Sequence, residues 1–308
     1  MPTVDGEASE GDVERHEVIV IGGSYAGASA ALQLARARRR VCVIDAGVRR
    51  NRVAAVSYGL IGHDGCDPGD LIAAGRAELL RYPTVTWIEG HATAARSAGD
   101  DFEVVLASGQ RRVAPRLVLA SGMIDELPDL PGLAERWGSH VFLCPYCHGY
   151  ELDGGAIGVI AHSPAIEHLA MLLPDWGPTT LFVQDVELGA VTRTALAARG
   201  VGFEEEPVVA IEGDDSAVVR LRDGRAIALA AVFAMPSARL ADDLATQLGC
   251  ELEEGAAGAH LEVNGAGETS VAGVYACGDN TCGRGSIATA IGDGARAGVA
   301  VHQSLVCR

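Results

Sequence analysis

Cys144, Pro145, Tyr146, Cys147 and His148 are the residues whose types and spacing most directly imply chemistry. Two cysteines separated by two residues at the start of a helical turn can close a disulfide without long-range rearrangement, and a helix N-terminus lowers a thiol pKa. Such a pair exchanges electrons with other thiols. The imidazole of His148 follows directly, and a group titrating near roughly 6.5 can take a proton from one thiol and return it during exchange. His140, four residues before Cys144, is a second candidate for that role. The same string admits other readings. A structural zinc site needs four ligands, and no second Cys-x-x-Cys or His-x-x-x-His pair stands at a suitable distance. Covalent haem attachment uses this string in exported proteins, and a packing role would leave both thiols inert. A redox disulfide fits best, and no metal is expected.

A second chemical signature lies near the start. Gly22-Gly23-Ser24-Tyr25-Ala26-Gly27 follows the unbroken apolar run Val18-Ile19-Val20-Ile21 and opens a segment of helical spacing over 28–39. Glycines there permit a tight turn and let a pyrophosphate reach the N–H groups of a helix N-terminus, although Ser24 replaces the middle glycine. Val41 to Ile44 then reads as a second buried strand that ends at Asp45, where a carboxylate can accept hydrogen bonds from a ribose diol. Strand, glycine turn, helix, strand and acid together point to a bound dinucleotide.

The outline repeats 139 residues on, from Ile21 to Ile160. Residues 157–160 read as a strand, 165–173 as a helix and 180–183 as a strand. The turn between the first two, Ala161-His162-Ser163-Pro164-Ala165, has no glycine and a proline that removes a donor. Gln184 stands in the place of Asp45, and residues 183–187 hold no arginine for a 2′-phosphate. This second unit reads as a dinucleotide fold that has lost its ligand; a nicotinamide site using other contacts is the alternative. Residues 102–107 and 112–120 read as further strands, and the proline-rich 126–132 as a joint. The expected fold class is therefore α/β, with two Rossmann-like, doubly wound, three-layer nucleotide-binding subdomains of which the first is discontinuous. The expected domains are a flexible acidic tail over 1–16, a first domain over 17–126 and 254–308, and a second over 127–253 carrying the cysteine pair.

Composition narrows the function. All 24 cationic side chains are arginine, so Schiff-base chemistry and a P-loop are excluded. A net charge of −17 argues against a nucleic acid or an anionic membrane as partner. No apolar run reaches the ~18 residues that span a bilayer, and the polar start has no signal-peptide core. The expected compartment is the cytoplasm, where Cys42, Cys66, Cys250, Cys277, Cys282 and Cys307 serve as unpaired core or surface residues.

The combination resembles the low-molecular-weight thioredoxin reductase family of flavoproteins, through the turn at 22–27, Asp45, Ala120-Ser121-Gly122, the run from Leu127 to Leu133, the CPYC pair and the run from Gly273 to Asn280. The resemblance implies FAD in the first site, held by Gly22, Ser24, Tyr25, Ala26, Gly27, Asp45, Ala46, Ala120, Gly122, Gly278 and Asp279, with Ile287 at the start of a helix lying against the ring. Arg50, Asn51 and His63 are candidates for reaching the flavin or its pyrophosphate. Within the family, a CPYCHG string and a degraded second site look like the dithiol oxidases that close disulfides in holomycin-type dithiolopyrrolones, gliotoxin and related compounds. By that resemblance Cys144 is attacked by substrate, Cys147 stands beside the flavin, and His148 or His140 moves protons. The implied partners are a small-molecule dithiol, molecular oxygen and a second copy of the chain. An NADPH-dependent reductase of a thioredoxin-like protein, and a flavin-carrying or dithiol-sequestering binding protein, are the rival functions.

Overall fold

Val18–Ile21 is buried at every position, as an apolar run without polar alternation requires. In the computed structural model, which describes residues 13–162, 166–184 and 186–307, this strand is the centre of a five-stranded parallel sheet. The order is Val274–Ala276, Leu117–Leu119, Val18–Ile21, Val41–Asp45, Val85–Glu89. Alternate residues feed two cores. Ile19, Ile21, Cys42 and Ile44 pack with Phe102, Val104 and Leu106 of an antiparallel layer. Val18, Val20, Val41 and Val43 pack with Ala30, Ala31, Leu34, Ala297 and Val301 of two helices. Each fully buried Val, Leu or Ile contributes ~1.5–3 kcal/mol relative to exposure, so both faces are held mainly by these runs.

Those helices, Tyr25–Arg36 and Ile287–Val306, approach closely because small residues line the contact. A Cβ on Gly294 would collide with the Ala26 carbonyl, and one on Gly298 would lie 3.0 Å from the Ala30 Cα. The Ser29 hydroxyl donates to the Ile291 carbonyl at 2.7 Å.

The second compact unit repeats the plan. Its parallel sheet runs Val141–Phe142, Ala231–Ala234, Ile157–Ile160, Thr179–Phe182, Gly202–Glu204. Ile157, Val159, Leu181 and Phe233 face helices on one side, while Ile160, Phe182 and Val232 face the antiparallel strands Val208–Glu212, Ala217–Leu221 and Ala226–Leu229 on the other.

Several boundaries differ from the sequence reading. The first unit comprises the chain up to Arg49, Ile72–Ile124 and the chain from Arg239, and the second comprises Arg50–Leu71 and Asp125–Ala238. Residues 239–253 thus belong with the first unit, because Leu244, Ala245, Leu248 and Cys250 of that stretch sit in its core. Val13–Arg15, expected in a loose tail, pairs in parallel with Arg111–Val113. The expected strand over 112–120 is two strands in different sheets, Arg111–Ala114 and Leu117–Leu119, parted at Pro115, which has no N–H for a ladder. The first helix begins at Tyr25 rather than 28 and ends at Arg36, with Arg38 at φ +61°. The helix and strand expected over 165–173 and 180–183 are Ile166–Leu172 and Thr179–Phe182. Among the described residues no helix is long and apolar enough to cross a membrane.

Candidate functional site

The glycine turn leaves no room for side chains. Gly22 adopts φ +96°, and a Cβ there would run into the carbonyl of Ala120. A Cβ on Gly23 would sit 2.8 Å from the Asp45 Cβ and against the Trp87 ring, and one on Gly27 would strike the Gly22 carbonyl oxygen. The Gly23 N–H donates to Asp45 Oδ1 at 3.0 Å, which holds the carboxylate over the turn. Ser24 takes the N-cap position of Tyr25–Arg36 without a side-chain capping bond, and no acidic side chain occupies the first helical turn. The first turn of that helix therefore adds no acidic side chain of its own, and its N–H groups face the position a pyrophosphate would take.

The chain's second glycine-aspartate site converges on the same turn. Gly278, at φ +84°, lies so close to Ala26 that a Cβ would meet the Ala26 Cβ at 2.8 Å. Cys277 N–H and Asn280 Nδ2 both donate to the Leu119 carbonyl, at 3.1 and 3.0 Å, and Ala120 N–H donates to Ile21 at 2.8 Å. Gly22 to Gly27, Asp45, Ala120, Gly278 and Asp279 are thus held by one sheet edge. Asn280 is buried with no protein partner at Oδ1, an orphaned acceptor beside this cradle that sequence reading missed. Its signal was an amide directly after the Gly278-Asp279 pair. Ser286 and Thr289 form a capping box at the start of Ile287–Val306, with Ile287 as its half-buried first residue. Ala46 is exposed just past the strand end, and Gly122 adopts φ +75° with open space where a Cβ would be. These residues fit an FAD, whose pyrophosphate would lie on the Gly22–Gly27 turn and whose ribose would meet Asp45.

Arg50, Asn51 and His63 belong to the second unit. The Arg50 guanidinium is committed to Asp125, with contacts of 2.5–3.1 Å, so the charge expected to meet a pyrophosphate is already paired. His63 is exposed on a turn, its N–H donating to Leu60 at 2.9 Å.

Also in the second unit, Cys144 and Cys147 are joined in a disulfide with Cα atoms 5.3 Å apart. Cys144 is the extended N-cap of the one-turn helix Pro145–His148, where a proline at N1 sacrifices no helical bond. The short turn keeps both sulfurs on one side. Among the described residues no other cysteine is in a disulfide; Cys42, Cys250 and Cys277 are buried, and burial pushes the Cys42 and Cys277 thiols up to about 12. Those two are inert core groups at neutral pH.

His148 stacks on Phe142, with ring centroids 4.4 Å apart and planes 26° apart, and Phe142 in turn meets Phe233 at 6.0 Å. Burial pulls the imidazole below its ordinary 6.5, opposed by the carboxylate of Glu151. A neutral ring beside the disulfide is a base ready to accept a thiol proton. His140 lies before the opposite end of Val141–Phe142, its carbonyl accepting from Val232 at 2.9 Å; at ~3.3 Å per extended residue it stands about 13 Å of chain from Cys144. His148 thus adjoins Cys147 directly in the one-turn helix, while His140 precedes the strand Val141–Phe142. Tyr146 meets Trp176 edge-on at 5.2 Å. Phe142 and Trp176 were missed by sequence reading, because isolated aromatics in apolar runs look like any core residue.

At the second dinucleotide-like turn, residues 163–165 and Asp185 lie outside the described residues. Gln184 adopts φ +54° and its Oε1 accepts from the Val208 N–H at 3.3 Å. The position matching Asp45 thus serves the neighbouring strand.

These features define a thioredoxin reductase-type flavoprotein fold, with a dinucleotide-type glycine turn in one unit and the Cys144–Cys147 disulfide in the other. The chain belongs to the pyridine nucleotide-disulphide oxidoreductase family, which it matches over residues 16–294. It is 30% identical to "Thioredoxin reductase tcpT" of Claviceps purpurea, over 86% of each chain. Its fold is similar to that of an oxidoreductase from Agrobacterium tumefaciens (50% identity, TM-score 0.92, covering 95% of this chain and 99% of that one). It is also similar to that of HlmI (38% identity, TM-score 0.90, covering 96% and 95%). The protein is an oxidoreductase of this family.

Proposed function

We propose that the protein is an FAD-dependent dithiol oxidase that forms an intramolecular disulfide in a small molecule of the holomycin or dithiolopyrrolone kind. The observation that carries this reading is the Cys144–Cys147 disulfide, closed across one helical turn directly beside the half-buried His148. The loss of nucleotide-binding features around Gln184 supports it against an NADPH-dependent reductase.

A substrate thiolate attacks the Cys144 sulfur, the Cys144–Cys147 bond breaks, and Cys147 leaves as a thiolate. The second substrate thiol, deprotonated by His148, attacks the substrate sulfur of the mixed disulfide. A cyclic disulfide departs and Cys144 is released as a thiolate. The cysteine pair now holds the two electrons and the proteins' acid–base groups hold the two protons. FAD, when bound at the Gly22–Gly27 turn, supplies the chemistry that returns the cysteines to the disulfide, with molecular oxygen as final acceptor and hydrogen peroxide as product. His148 relays protons at Nδ1 or Nε2, and Asp45, the turn and the Asn280 region position the cofactor.

Oxygen uptake and peroxide release on addition of a small dithiol test this reading. One peroxide per cyclic disulfide is expected, and Cys144→Ser is expected to abolish both. Full turnover in that variant would refute the mechanism.

A further inference from the structure

Tyr146 stands between the two redox cysteines and is 69% exposed, and Tyr150, just after His148, is 87% exposed. An aromatic ring that stands open to solvent beside the cysteine pair offers its edge and face to a ligand. Tyr146 is not loose: its ring meets Trp176 at 5.2 Å with the planes at 90°. Trp176 in turn is seated against the cysteine-bearing turn itself. A Cβ on Gly149 would come within 2.6 Å of Trp176 Cδ1 and 2.8 Å of its Cγ, so glycine at 149 is what admits the indole. The two rings form a fixed corner attached to the exchange site from two separate stretches of chain.

The stretch of chain that carries this corner is acidic. From 137 to 192 the chain has no arginine or lysine, while Glu151, Asp153, Glu167 and Asp175 are present. Arg199, which reaches Asp175 next to Trp176, is paired there at 2.9 Å. His148 is neutral for the reason given above. Nothing in this set would compensate a carboxylate brought in with the thiol.

We propose that the Tyr146–Trp176 corner is the specificity-determining surface for the thiol that attacks Cys144, receiving the flat, uncharged ring of a small dithiol and turning away anionic thiols. The inference rests on the dithiol-exchange reading. Tyr146 is two residues from Cys144 and exposed, so the body of a molecule whose sulfur attacks Cys144 can meet its ring, and an edge-on or offset ring contact there orients the second thiol for closure. The chemistry is the exchange already described: one substrate S–S bond forms, the enzyme S–S bond breaks, and the two electrons pass to the cysteine pair.

The experiment uses the FAD-loaded protein without oxygen and follows flavin bleaching against dithiol concentration. Two matched pairs of probes are compared: 1,2-bis(mercaptomethyl)benzene with dithiothreitol, which both close six-membered disulfides, and dihydrolipoamide with dihydrolipoate, which differ only in charge. In the wild type the half-saturating concentration is expected to be about tenfold lower for the ringed probe than for dithiothreitol, the scale of one well-placed aromatic contact, and lower for the amide than for the acid. Tyr146→Ala and Trp176→Ala are expected to bring the ring preference towards unity, and Tyr146→Phe to keep it. Because Tyr146 is exposed, its variants report on binding even where Trp176→Ala fails to fold. An unchanged ring preference in Tyr146→Ala, or equal use of acid and amide by the wild type, overturns the proposal while loss of bleaching in Cys144→Ser leaves the exchange reading standing. Bleaching by every probe in Cys144→Ser overturns the exchange reading itself.

Discussion

In the proposed mechanism the His148 ring sets the protonation chemistry of the site. Packed against Phe142 and half-buried, it loses enough water that its pKa lies below the ordinary 6.5, which favours the neutral form at neutral pH. A base of this kind gives a rate that falls only as pH drops through the lowered pKa. The acid limb of the pH–rate profile is therefore expected below pH 6.5. His148→Gln is expected to remove that limb and to cost about 10²-fold or more in turnover, the scale of one general acid–base group; a limb unmoved in the variant would assign the base elsewhere. The same shift makes the unfolded chain the better proton acceptor, so this group's contribution to stability is lost as pH falls below 6.5. The Cys-x-x-Cys-His string and the glycine turn were legible at this scale because exchange and pyrophosphate binding restrict residue type at each position. Phe142, Trp176 and Asn280 were not, since their roles come from neighbours distant in sequence.

Among the elements, the pair of helices Tyr25–Arg36 and Ile287–Val306 fixes where the two halves of the cofactor cradle meet. Gly298 sits over the Ala30 backbone, whose Cα would lie 3.0 Å from an added Cβ. Gly298→Val forces that contact apart and is expected to destabilise the protein by ~1–3 kcal/mol, visible as a lower Tm and as earlier loss of flavin on heating. A Tm within a degree of the wild type would show that the helices yield without strain. Apolar runs announced the central strands because burial on both faces tolerates no polar residue. The break at Pro115, the docking of Val13–Arg15 and the placing of 239–253 were not legible, since each depends on which sheet a short strand joins rather than on its own pattern.

Over the whole molecule, duplication of one plan is the dominant fact, and the two copies have diverged in what they retain. The first keeps glycines that no side chain could replace at 22, 23 and 27, together with an Asp45 held by the Gly23 N–H. The second places Gln184 in the matching position and uses it to bond the Val208 backbone. NADPH is accordingly expected to give no saturable binding in calorimetric titration of the FAD-loaded protein; a stoichiometric isotherm would restore a nicotinamide role to the second unit. The acidic surface, with its net charge of −17, adds repulsion against that anionic cofactor.

The central claim is that electrons enter from a small dithiol through Cys144 and Cys147. Its most direct test is to mix the oxidised flavoprotein, without oxygen, with a small dithiol and separately with NADPH and NADH, and to record the flavin absorbance. Rapid bleaching by the dithiol, none by either nicotinamide, and none by the dithiol in Cys144→Ser are expected. Rapid bleaching by NADPH or NADH, with the dithiol inert, would contradict that claim and make the protein a reductase.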